Sequence, residues 1–140
     1  MNDPYNLQRF VDAQDGIIET ALAELRSGSK QNHWMWFIFP QLAGLGRSST
    51  AQFYGISGRD EAIAYLAHPM LGPRLREAVE AILPWVGKRS AEQILGPVDA
   101  LKLRSCLTLF NAIGGEFTST LQAFFAGPDR CTLALLADAR

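Results

Sequence analysis

This sequence is poor in the residues that most quickly announce a metal or redox centre. It has two cysteines and two histidines in 140 residues. Cys106 and Cys131 lie 25 positions apart in apolar surroundings, so Cys-x-x-Cys spacing is missing and both read as buried free thiols. His33 and His68 are 35 positions apart with no paired acidic motif, a pattern that gives no specific metal site. No metal and no cofactor is therefore expected. Neither sign of charge is in excess: 13 basic and 14 acidic residues leave a formal net charge of -1, which argues against nucleic-acid binding through bulk electrostatics. No apolar run approaches the roughly 20 residues needed to span a bilayer, and the N-terminus lacks the basic-then-apolar pattern of a secretory signal. No membrane partner is expected, and the cytoplasm is the expected compartment. Gly-x-Ser-x-Gly and Walker sequences are absent, as are internal repeats, low-complexity tracts and linkers.

What is present is apolar and helically spaced. With 48% hydrophobic and 19% charged residues, the chain is long enough for one domain, residues 1–140, built on one core. Asp3-Pro4 opens a first helix that carries Leu7, Phe10, Val11 and Gln14 at helical spacing. A second helix bears Ile18, Ala21, Leu22 and Leu25 and stops at Ser27-Gly28. Ser57 is expected to cap a helix ending near Ala67, with Glu61 completing the capping arrangement. His68-Pro69 starts the next, with Leu71, Leu75, Val79, Ile82 and Leu83 on its buried side. Ser90 and Gly96 bracket a short helix around Ile94 and Leu95, and Asp99 reads as the N-cap of a central helix. That helix is apolar at Leu101, Leu103, Leu107, Leu109, Phe110 and Ile113. Two more helices follow, the last capped by Asp129. The expected fold is all-α, a compact multi-helix domain.

The densest stretch is Lys30 to Ser49. Trp34, Met35, Trp36, Phe37, Ile38 and Phe39 form an uninterrupted large apolar run, which reads as an element buried on both faces. A strand suits its aromatic residues, and a short helix stopped before Pro40 suits its length and neighbours; both readings stay open. His33 and Gln41 bracket the run, and in either conformation they share a face with Phe37. Gly44, Gly46, Arg47 and Ser48 follow. Gly-x-Gly permits close backbone approach, the serine suits a helix cap, and helix-start N–H groups together with Arg47 suit a phosphate or carboxylate. A plain turn before a capped helix accounts for the same residues.

Lys102, Ser105 and Thr108 are the scarce polar positions on one arc of the central helix. Polar groups on a buried helix need partners, either neighbouring backbone or a ligand. The sharpest expectation is that His33, Gln41, Arg47, Lys102 and Ser105 converge on one pocket for a small anionic molecule, with Thr108 on the same arc. Trp34 or Trp36 would stack a ring of a nucleotide-derived ligand, the Gly44-to-Ser48 loop would hold the anion, and His33 would move a proton. A noncatalytic sensor module using the same pocket, or an interaction domain with exposed aromatics, are the other two readings. His68 reads either as a locally bonded histidine at a helix start or as a second acid-base group.

The chain also resembles a bacterial family catalogued as domain of unknown function 1810. The resemblance rests on His33-Trp34-Met35-Trp36, Ile38-Phe39-Pro40-Gln41, Gly44-Leu45-Gly46-x-Ser48, His68-Pro69-x-Leu71-Gly72-x-Arg74-Leu75 and Asp99-x-x-Lys102-Leu103. Leu7-x-Arg9-Phe10 with Ala13-Gln14, Glu61-Ala62 with Tyr65-Leu66, Ser105 and Thr108-Leu109-Phe110 extend it over nearly the whole chain. Where the family tends to read Ser-Ser-Met-Thr, this chain has Ser105-Cys106-Leu107-Thr108, a change confined to core-like positions. The resemblance implies a mainly helical fold and no established activity, and it makes Arg9 and Gln14 candidates to reach the same pocket as His33. Some members carry the label calpastatin, but a calpain inhibitor would be a disordered repeat, unlike this apolar chain. Phe10-x-x-Ala13-Gln14 is also similar to the NADAR family, linked to ADP-ribose and N-glycosidic chemistry, although the acidic residue such chemistry needs has no clear match here.

Overall fold

The pattern that makes Leu103, Leu107 and Phe110 apolar on a long helix also makes that helix the axis of the molecule. A computed structural model describes residues 3–138. Ten α-helices span them: α1 Gln8–Gln14, α2 Ile18–Ser27, α3 Met35–Ile38, α4 Ser49–Phe53, α5 Arg59–Ala67, α6 Leu71–Ile82, α7 Ala91–Leu95, α8 Pro97–Ala112, α9 Thr118–Phe124 and α10 Arg130–Asp138. A short 3-10 turn, Leu83–Trp85, follows α6. Among the described residues the β structure is a single parallel bridge between Leu42 and Ile56.

The axial helix α8 is set by its ends. Pro97 stands at its first position, where a missing N–H costs nothing, and Gly96 precedes it at φ 90°. Leu103, Cys106, Leu107, Leu109 and Phe110 of α8 are fully buried. Against this axis pack α5, α7, α9 and α10, while α2 lies on α6 and α1 on α3. One continuous apolar cluster runs from Leu7 to Leu136.

The Trp34-to-Phe39 run takes the helical alternative, as the one-turn α3. Trp34, Met35, Ile38 and Phe39 are buried, and Trp36 and Phe37 are partly so. Several local expectations shift. Asp3 does close the start of α1, accepting from Leu7 N at 2.7 Å and Gln8 N at 3.0 Å, but the helix begins four residues later than Pro4. Gly58, not Ser57, is the N-cap of α5, and Glu61 instead accepts the Ser57 backbone N–H at 2.9 Å. Asp99 lies within the first turn of α8 and not at its cap. Leu83 and Leu101, expected in the core, are 40% and 64% exposed. Leu83 is carried out of the α6 stripe by the 3-10 turn at Pro84, and Leu101 faces away from the Leu103-to-Phe110 side. Cys106 is buried as expected, Cys131 is exposed on α10, and neither is in a disulfide.

Candidate functional site

The site begins with a pinned loop. After Pro40 the chain forms a loop that keeps Leu42 in the core and is clamped at its base, where Ile56 N donates to Gln41 O at 2.8 Å and Ala43 N to Ile56 O at 2.7 Å. Inside the loop Ser48 caps α4, its hydroxyl accepting from Ala51 N at 3.1 Å, and Gln52 Nε2 donates back to Arg47 O at 3.2 Å. Gly46 is needed for closeness: a Cβ there would lie 2.5 Å from the Ala51 Cβ. The loop is therefore a small folded body held beside the N-terminal half of α8.

Between that loop and α8 lies an open cleft of about 420 Å³. Gln41, Gly46, Arg47 and Ser48 form one wall, Lys102 and Ser105 the other, and Trp36 the floor. Leu45, Ala51, Val98 and Leu101 complete the lining. Its inner end narrows to a small recess between Trp36, Gln41, Gly46 and Tyr54. Among the described residues the Gln41 amide and the Arg47 guanidinium make no hydrogen bond or ion pair within the protein. The Ser105 hydroxyl lies 3.1 Å from Leu101 O and 3.4 Å from Asp129 Oδ2.

Lys102 is held by two partners that the sequence reading did not connect. Its Nζ lies 3.4 Å from Asp99 Oδ1 and 4.8 Å from the centroid of the Trp36 ring. The other Asp99 oxygen takes Lys30 Nζ at 2.9 Å, and Lys30 stands 5.0 Å over Trp34. Asp99 thus bridges two lysines, each set over one tryptophan of the Trp34-Met35-Trp36 motif, in the geometry of a cation–π contact. One carboxylate against two ammonium groups leaves an excess of one positive charge, and Arg47 adds another across the cleft. The available signal for Asp99 was its i,i+3 spacing to Lys102 on a helix. Nothing in the sequence paired Lys30 with either.

The family described as protein of unknown function (DUF1810) matches residues 4–136. The chain belongs to this family. It is also similar to the crystal structure of the conserved hypothetical protein Rv1873 from Mycobacterium tuberculosis, at 49% identity and a TM-score of 0.90, covering 96% of this chain and 99% of that one. No curated protein matches the chain.

The remaining family-motif residues lie away from the cleft, and Trp34, Arg9, Gln14, His68 and Thr108 are engaged in holding the fold. Trp34 is fully buried and its Nε1 donates to Glu24 Oε1 at 2.9 Å, so it has no face for a ligand ring. Arg9 spends its guanidinium on Glu61 Oε2 at 2.8 Å and on the carbonyls of Tyr5, Asn6, Phe53 and Gly55. Gln14, 1% exposed, donates to Phe37 O and Tyr65 Oη and accepts from Arg74. Neither reaches the Arg47 cleft, and neither is the solvated side chain that its polarity would suggest. His33 is exposed in the turn before α3 and is absent from the cleft lining, because α3 starts only at Met35 and does not carry His33 onto the Gln41 side. His68 Nδ1 accepts from Met70 N at 3.1 Å and Leu71 N at 3.3 Å, making it a helix-start cap for α6. Thr108 bonds Arg104 O and accepts from Asp129 N at 2.8 Å, which ties α10 to α8. Gly44, at φ 98°, lies in the loop, where a Cβ would stand 3.8 Å from the Leu135 side chain, and outside the cleft lining. The expected polar arc on α8 is thus divided: Lys102 and Ser105 line the cleft, and Thr108 serves the Asp129 turn. Among the described residues no group of three His, Cys, Asp or Glu side chains is placed to hold a metal ion, and no helix is long and apolar enough to cross a membrane.

Proposed function

We propose that the cleft between the bridged loop and α8 is a noncatalytic binding site for a small organic anion, as in a sensor or carrier module. The observation that carries this reading is the meeting of Arg47, Lys102, Gln41 and Ser105 around Trp36 with no carboxylate in the lining. A guanidinium and an ammonium facing one space favour an anion, and the unengaged Gln41 amide offers a donor and an acceptor beside them. A cleft near 420 Å³ is of the size that holds small molecules. Cleavage of an N-glycosidic bond is less well supported, since it calls for a positioned acid or base. Asp99, the acid beside Lys102, is occupied by Lys30 and Lys102, and His33 lies outside the lining. Two unpaired thiols fit a reducing compartment, and the reading keeps the protein in the cytoplasm.

The test is a chemical-shift titration of the isotope-labelled protein with sodium benzoate, inorganic phosphate and adenosine monophosphate. The last represents a nucleotide-derived ligand. The reading expects at least one probe to saturate with its largest shifts at Gln41, Gly46, Arg47 and Lys102. Saturating shifts centred elsewhere, or none from any probe at millimolar concentration, contradict it.

A further inference from the structure

Two residues of the cleft are left unexplained by charge. Val98 and Leu101 are 65% and 64% exposed, and they stand three positions apart, hence on one helix face. Both line the cleft, with Leu45 opposite. The core does not need them, because α8 already buries Leu103, Leu107 and Phe110 on its other side. A single exposed leucine is ordinary. A pair on one face, set against a third apolar side chain and beside two cations, makes a surface with a cationic end and an apolar end to satisfy.

Charge also limits the head group. Lys102 already shares Asp99 with Lys30, so Arg47 is the one cation of the lining with no ion-pair partner among the described residues. A monoanion held by Arg47 leaves the Lys30–Asp99–Lys102 bridge intact, whereas the second charge of a dianion would have to draw Lys102 from Asp99 or sit against its carboxylate. The first turn of α4 is partly closed on itself by Ser48 and so offers less to a phosphate.

Resting on the anion-binding reading above, we infer that the ligand class is an amphiphilic monocarboxylate. Arg47 and Lys102 hold its carboxylate, and its aliphatic body lies along Leu45, Val98 and Leu101. Binding then strengthens with each methylene that leaves water. The inner recess by Trp36 and Tyr54 is too small to take the chain, at about 10 Å³, so the apolar body runs outward along α8.

The experiment is calorimetric titration of the full chain with sodium butyrate, hexanoate and octanoate below their micellar concentrations, with adenosine monophosphate alongside. The expected result is one-to-one binding that tightens roughly fourfold per methylene, an increment that Leu101→Ser reduces and an octanoate affinity that Arg47→Ala lowers by roughly tenfold or more. Equal affinity for butyrate and octanoate, an increment untouched by Leu101→Ser, octanoate binding indifferent to Arg47→Ala, or tighter binding of adenosine monophosphate than of octanoate overturns the inference. The first and last of these outcomes leave the anion cleft standing. Silence from all four probes, together with benzoate and phosphate, removes the anion reading itself.

Discussion

Glu24 is 9% exposed and accepts from Gln31 N at 2.7 Å, Asn32 N at 3.0 Å, the Asn32 amide and Trp34 Nε1 at 2.9 Å. One carboxylate thereby fixes the whole turn that leads into α3. Burial alone would raise its pKa, but these hydrogen bonds to the charged form outweigh it and lower the value to about 2. A carboxyl whose pKa falls on folding stabilises the native state fully above its ordinary value of 4.5, and loses that contribution as pH falls toward 2. Glu24→Gln is expected to cost about 1–3 kcal/mol in urea unfolding at neutral pH, with the gap to wild type closing below pH 4.5. A gap that stays constant down to pH 2 would count against the assignment. Arg9 makes a different prediction. Its ion pair with Glu61 leaves the two side chains 9% and 4% exposed, and removing one partner of a buried pair strands the other. Arg9→Ala should therefore lose about 3–5 kcal/mol of stability while anion affinity at the Arg47 cleft is retained. Reduced affinity with stability intact would restore Arg9 to the site. The burial of Arg9 is not legible in the sequence, because nothing local says that an arginine already near the carbonyls of Tyr5 and Asn6 will also be met by Phe53, Gly55 and Glu61 from a distant segment.

At the scale of elements, the long helices were readable because their apolar residues recur at helical spacing and their ends carry Gly, Pro and Ser. The short ones were readable through their caps: Ser48 for α4, the Ser90–Gln93 capping box for α7, and Asp129 for α10 through Thr132 N at 2.9 Å. Periodicity failed at Leu101 for a physical reason. On α8 apolar residues cover more than one face, and the pattern alone does not say which face meets core and which meets a cleft. It likewise could not place His33, whose side depends on where the single turn of α3 begins. Gly72 offers an element-scale test. It lies in the first turn of α6 against the end of α5, and a Cβ there would lie 2.1 Å from the Leu66 carbonyl oxygen. Backbone cannot yield as a flexible side chain does, so Gly72→Ala should destabilise by about 1–3 kcal/mol or more, lowering the thermal midpoint by roughly 3 °C per kcal/mol. An unchanged midpoint would mean that α5 and α6 slide freely.

The whole molecule joins one apolar cluster to one pinned loop, and the cleft exists because the Leu42–Ile56 bridge holds that loop beside α8. Such a union of Gln41, Arg47, Lys102 and Ser105 is a property of chain path. The sequence could nominate these four, since each is a polar residue at the edge of an apolar element, but it could not tell them apart from Arg9, Gln14 and Thr108, which share that description and are consumed by the fold. The pairing of Lys30 with Asp99 escaped notice because it links residues far apart in the chain. The central claim is that Arg47 and Lys102 together make the cleft an anion site. It is tested most directly by calorimetric titration of wild type and Arg47→Ala/Lys102→Met with sodium benzoate, with unfolding midpoints measured alongside. Asp99 keeps Lys30 in the variant, so its fold should hold. The account predicts a similar midpoint and a loss of benzoate affinity of at least tenfold, the scale of losing hydrogen bonds to a charged group. Equal benzoate affinity in the two proteins would contradict it.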